Sequence, residues 1–121
     1  MRILKTTLLI LLFSSFISSC QKEYFKKPPV DLSTPVSFSV DLQPILTSKC
    51  ATSGCHDKNY PPTLTEGKAY TDLIERGYID TLSPEKSILM IRLNKDMPKG
   101  KLPAADINKF SAWMKQGAKE N

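Results

Sequence analysis

The sequence predicts a small all-α fold of about four short helices, and three features point there. Apolar residues recur at three- and four-residue spacing, most plainly Ile107, Phe110, Trp113 and Met114. Proline and glycine stand where helices start and stop: Pro44, Pro84, Gly77 and Gly117. No stretch alternates apolar and polar residues in the manner of a half-buried strand.

The first helix is expected to start from a cap at Ser39 or Asp41 and to reach Thr47 or Ser48, with Leu42, Ile45 and Leu46 inward. Pro44 fits its first turn, where the missing N–H has no intrahelical partner to lose. Residues 49–64 hold Gly54, Pro61 and Pro62 and read as a loop. A second helix is expected over 66–76, capped by Thr65 and stopped by Gly77, with Ala69, Leu73 and Ile74 inward. Ser83-Pro84 opens a third helix, since proline suits the first helical position. Ile88, Leu89, Ile91 and Leu93 predict that this helix is largely buried. Residues 94–103, with Pro98, Gly100 and Pro103, form a second loop. The last helix spans about Ala104 to Gln116.

Upstream of these elements the chain changes character. Arg2 and Lys5 precede a continuous apolar run, Leu8 to Phe13, and then the mostly small residues Ser14 to Ser19. That order is the signature of a secretory leader, expected over residues 1–19. The apolar run is too short to span a bilayer, which takes roughly 20 residues. Ile17-Ser18-Ser19-Cys20 resembles a bacterial lipobox, which implies cleavage before Cys20 and acylation of its thiol. Residues 20–36 are polar and proline-bearing and are expected to be a flexible tether from the membrane. The folded domain is expected over 37–121. Of the 17 basic residues, Arg2 and Lys5 fall in the leader, which leaves 15 against 12 acidic. Lysines are scattered among Asp and Glu without a basic cluster, so no nucleic acid is expected as partner.

A domain of this length with short helices and long loops buries a modest core and calls for a staple. Cys50 and Cys55 are the material for it, since thiols of an exported protein rarely stay free and reduced. The segment reads Cys50-Ala51-Thr52-Ser53-Gly54-Cys55-His56. Covalent haem attachment needs two thiols for the vinyl groups and an imidazole beside the second thiol for the iron. The gap between the cysteines is four residues where the common spacing is two, and Gly54 gives the backbone freedom to loop out. A disulfide and a zinc ion are the competing uses of these cysteines. The disulfide gives no reason for His56 to follow Cys55, and zinc lacks an obvious fourth ligand.

From residue 38 onward the chain resembles the small c-type cytochrome domains of Bacteroidetes-type bacterial lipoproteins. The matching pieces are Ser39-Val40-Asp41-Leu42-Gln43-Pro44-Ile45-Leu46, Gly54-Cys55-His56-Asp57, Ser87-Ile88-Leu89 with Arg92-Leu93, Asp96-Met97-Pro98, and Trp113-Met114 with Gly117-Ala118. The resemblance implies a class I cytochrome c-like fold around one haem c. It implies His56 as the proximal iron ligand and Met97 as the distal one.

The residues themselves bear on the same assignment. His56 is the single histidine, so two histidines cannot ligate one iron here. Beyond the leader the methionines are Met90, Met97 and Met114. Met90 and Met114 fall among apolar helical neighbours, whereas Met97 lies in a loop before Pro98. Met97 is the favoured sixth ligand, with the other two, another donor or an open position as alternatives. Trp113, Phe110, Leu46, Ile88, Leu89 and Leu93 are candidates for a haem pocket, and Arg92, Tyr60 and Tyr70 for its propionates. No nucleophile elbow or thioredoxin-like pattern accompanies His56 or the cysteines, so no enzyme is expected. The reading is a lipid-anchored electron carrier outside the cytoplasm, on the outer membrane, that meets redox protein partners. The alternative is a disulfide-stapled, haem-free surface lipoprotein that acts as a binding module.

Overall fold

The computed structural model describes residues 29–98 and 102–121. The leader, Cys20 and most of the tether lie outside the described residues. Within them the protein is helical and has no strand, as the sequence predicts. We label the four α-helices α1 (Gln43–Lys49), α2 (Ala69–Glu75), α3 (Ile88–Lys95) and α4 (Ala104–Lys115). None of the described helices is long and apolar enough to cross a membrane.

The chain enters α1 through a wide turn, Phe38–Leu42, in which Gln43 N–H donates to the Phe38 carbonyl five residues back. The cap of this turn is Ser37, not Ser39 or Asp41. Its Oγ accepts from Val40 N–H at 3.2 Å, and Asp41 Oδ2 accepts in return from Ser37 N–H at 2.8 Å. The wide turn swings Phe38 inward to 4% exposure, where its ring meets those of Trp113 (5.2 Å) and Tyr70 (5.3 Å).

Helix α2 starts three residues later than expected, because the Thr65 carbonyl takes the N–H groups of both Lys68 and Ala69 in a tight turn. It stops as expected. Gly77 adopts φ +69°, and the N–H groups of Gly77 and Tyr78 return to Ile74 and Leu73. The same closure ends α4, where Gly117 and Ala118 bond back to Met114 and Trp113. Ser83-Pro84 opens a single 3₁₀ turn, Pro84–Lys86, and α3 follows after Ser87. Ser87 is buried, and its Oγ accepts from Asp80 N–H at 2.7 Å.

The core gathers Leu42 and Leu46 of α1, Leu73 of α2, Leu89, Met90 and Leu93 of α3, and Phe110, Trp113 and Met114 of α4. Each large apolar side chain buried there contributes roughly 1.5–3 kcal/mol. Helix α3 is less buried than its composition suggests: Leu89, Met90 and Leu93 form one inward face, while Ile88 and Ile91 stay about half exposed. Ile74 likewise points outward. Gln116, the residue just after α4, clasps the segment ahead of residue 37. Its Oε1 accepts from Val36 N–H (2.9 Å) and its Nε2 donates to the Thr34 carbonyl (3.0 Å). Asn121 adds a second clasp: its backbone oxygen accepts from Ser39 N–H (2.9 Å) and from the Ser37 hydroxyl, and its Oδ1 from Phe38 N–H.

Candidate functional site

The loop between α1 and α2 carries Cys50, Cys55 and His56. Cys50 directly follows α1, held by its N–H to the Leu46 carbonyl at 2.9 Å, and is buried at 8% exposure. Its own carbonyl accepts from His56 N–H at 3.1 Å. That bond closes the intervening residues into a compact loop and brings the backbones of Cys50 and His56 together despite the wide spacing. Gly54 makes the loop feasible: it sits at φ +79°, a region that costs other residues roughly 1–2 kcal/mol. Gly54 N–H lies 3.3 Å from Asp57 Oδ2, and the same carboxylate accepts from the N–H groups of Lys58 and Asn59. Lys58 N–H is the main reason that the Asp57 carboxyl sits below the usual carboxylate range.

Both cysteines are free thiols; Cys50 is buried and Cys55 exposed. Burial first, and then the nearby Cys55 charge, push the Cys50 thiol up to about 11. Among the described residues no three His, Cys, Asp or Glu side chains gather as a metal ion would require.

The His56 ring is half-buried. Its Nδ1 lies 3.0 Å from the Pro62 carbonyl oxygen and 3.2 Å from that of Tyr60. Carbonyl oxygens only accept, so Nδ1 carries a proton, and whenever the ring is neutral its lone pair is on Nε2. That is the tautomer a metal ligand needs. The acceptor strand of the loop is itself fixed from two helices. From α1, the buried Gln43 donates its amide to the Leu64 carbonyl (3.1 Å) and to Thr47 Oγ1 (3.1 Å), and Leu64 N–H donates to the His56 carbonyl (2.8 Å). From α2, Asp72 Oδ2 accepts from Thr63 N–H at 2.7 Å. That bond is the largest influence on the Asp72 carboxyl and holds it below its ordinary range; burial opposes it, and the nearby Arg76 guanidinium adds a smaller pull in the same downward direction.

Met97 follows α3 in the second loop, with its N–H on the Arg92 carbonyl at 3.0 Å, and the residue is 43% exposed. Met90 and Met114 are fully packed in the core. Of the proposed pocket residues, Trp113, Phe110, Leu46, Leu89 and Leu93 are buried together, and Ile88 is not. The candidates for propionate contacts separate. Tyr70 turns its hydroxyl to the Ala118 carbonyl, Arg92 pairs with Asp96 at 2.9 Å, and Tyr60 is exposed.

Sequence reasoning missed Gln43, Asp72 and the Pro62 carbonyl. Gln43 had a signal, since it shares with Leu46 and Cys50 the three- and seven-residue spacing of one helix face. Asp72 and Pro62 had none, because their partners are backbone groups brought close only by the loop. No family model, curated protein or solved structure matches the chain.

Proposed function

We propose that this protein is an electron carrier with a class I cytochrome c-like fold, holding one haem c through Cys50, Cys55 and His56 with Met97 as sixth ligand. The observation that carries this reading is the His56 ring, its Nδ1–H spent on the Pro62 carbonyl and its Nε2 left to bind iron. Cys50 and Cys55, neither in a disulfide, precede it in the same loop, and two thiols are what thioether bonds to the two vinyl groups would require. Met97 is the thioether left available outside the core, whereas Met90 and Met114 are sealed within it.

Haem iron, when bound, supplies a reversible one-electron couple. The chain's part is to hold and tune it. Cys50 and Cys55 would tether the macrocycle, His56 would fix its orientation through a rigid ring, and Met97 would complete the iron's coordination and favour the reduced state. With His56 and Met97 both holding the iron, no open position would remain for a substrate, which fits a carrier rather than an enzyme. The leader and Cys20 point to an exported, lipid-anchored protein at the outer membrane, with other redox proteins as partners.

The test is an absorption spectrum of the full chain matured with the haem-attachment machinery. A coloured protein with covalent, low-spin haem is expected. A colourless product with Cys50 and Cys55 joined to each other would overturn the proposal.

A further inference from the structure

The Pro62–Thr63 peptide group makes two hydrogen bonds in opposite directions. Its carbonyl accepts from His56 Nδ1–H at 3.0 Å, and its N–H donates to Asp72 Oδ2 at 2.7 Å. We propose that Asp72 is a positioning residue that acts on the His56 imidazole through this one peptide group. The proposal rests on His56 as the proximal iron ligand.

A carboxylate that accepts from a peptide N–H draws the peptide's electrons toward its carbonyl oxygen. The oxygen becomes a stronger acceptor, and hydrogen bonds in such a chain reinforce one another. A stronger acceptor at Nδ1–H holds the ring in the tautomer with Nε2 free and raises the basicity of Nε2. A more basic Nε2 stabilises ferric over ferrous iron and lowers the potential. Asp72 thus opposes Met97, which pulls the other way. Other groups share the load. The Tyr60 carbonyl lies 3.2 Å from the same Nδ1, and Arg76 Nε lies 3.4 Å from the same Asp72 oxygen. Arg76 is a brake on the relay, since its charge offsets that of Asp72, and it is half exposed and removable.

The test compares Asp72→Asn and Arg76→Ala in two states of the protein. Asp72→Asn keeps an oxygen to accept from Thr63 N–H and removes only the charge. In the haem-free chain at alkaline pH, ¹⁵N NMR of the His56 ring reads the ratio of the two neutral tautomers. Asp72→Asn should shift that ratio toward Nε2–H by about 3- to 10-fold, a fraction of what direct partners of metal-bound histidines supply. Arg76→Ala should shift it the other way. In the haem-loaded protein Asp72→Asn should raise the midpoint potential by a similar factor in the redox equilibrium, where tenfold is 59 mV for one electron. Arg76→Ala should lower it. Unchanged tautomer ratios in both variants would overturn the relay even if the protein binds haem. If the chain takes up no haem, the electron-carrier reading fails, and the tautomer ratio still decides whether Asp72 reaches the ring.

Discussion

The hydroxyl of Ser87 lies 3.3 Å from the Sδ of Met114, both of them buried where α3 begins against the last turn of α4. The one proton of this hydroxyl is shared between the Met114 thioether and the Asp80 carbonyl at 3.2 Å. Met90, at 1% exposure, is enclosed as well. Both thioethers are thus packed into the core between the two longest helices.

Met97→Ala should therefore leave haem covalently attached and turn the iron high-spin, while Met114→Leu keeps it low-spin. Absorption and EPR spectra of the two variants check this. A low-spin Met97→Ala protein would remove Met97 from its role.

Gln43→Ala should destabilise the fold by about 1–3 kcal/mol, because it leaves the Leu64 carbonyl buried without its donor. Urea unfolding gives the magnitude. Hydrogen exchange should locate the effect, with the Leu64 amide, which bonds to the His56 carbonyl, losing protection first.

The helix count, the two glycine stops and the inward faces of α1 and α4 were legible in the sequence because they rest on local periodicity and local caps. Helix α3 was harder. Five apolar residues in a six-residue stretch, Ile88 to Leu93, fit any face, and only the position of Ser87 decides that Leu89, Met90 and Leu93 turn inward. At the site, Cys50, Cys55 and His56 announced themselves by adjacency. The groups that fix His56 did not, since a backbone carbonyl at position 62 and a carboxylate at position 72 have no shared pattern along the chain. The cap at Ser37 was hidden for a related reason: the wide turn at Phe38–Leu42 shifts the helix phase by one residue.

Cys50 and Cys55 of the haem-free chain should react unequally. At pH 8 a thiol raised from its usual value near 9 to about 11 holds about a hundredfold less thiolate, and Cys50 is also buried. Iodoacetamide followed by mass spectrometry should find Cys55 modified well before Cys50. Equal rates would mean that the end of α1 opens readily.

Stability should fall at both ends of the pH scale. The Asp57 and Asp72 carboxyls lie below their ordinary range in the folded protein, so the unfolded chain binds protons first as pH drops. Their contribution is complete above the usual carboxylate range and fades as pH falls through it. Cys50 acts in the opposite sense. Between pH 9 and about 11 the unfolded chain releases its proton while the folded one keeps it, so stability of the haem-free protein drops by about 2–3 kcal/mol over that window. Thermal melts at fixed ionic strength should trace both limbs, and Cys50→Ala should remove the alkaline one.

The clasp of Gln116 and Asn121 on residues 34–39 settles how the domain bears mechanical load. A pull on the chain upstream of Thr34 falls first on Gln116 and then on Asn121, both carried by α4 and the segment after it. The 50–64 loop stands further down the line of force. A force applied upstream of Thr34 should therefore break the Gln116 hydrogen bonds before it disturbs the 50–64 loop that holds His56.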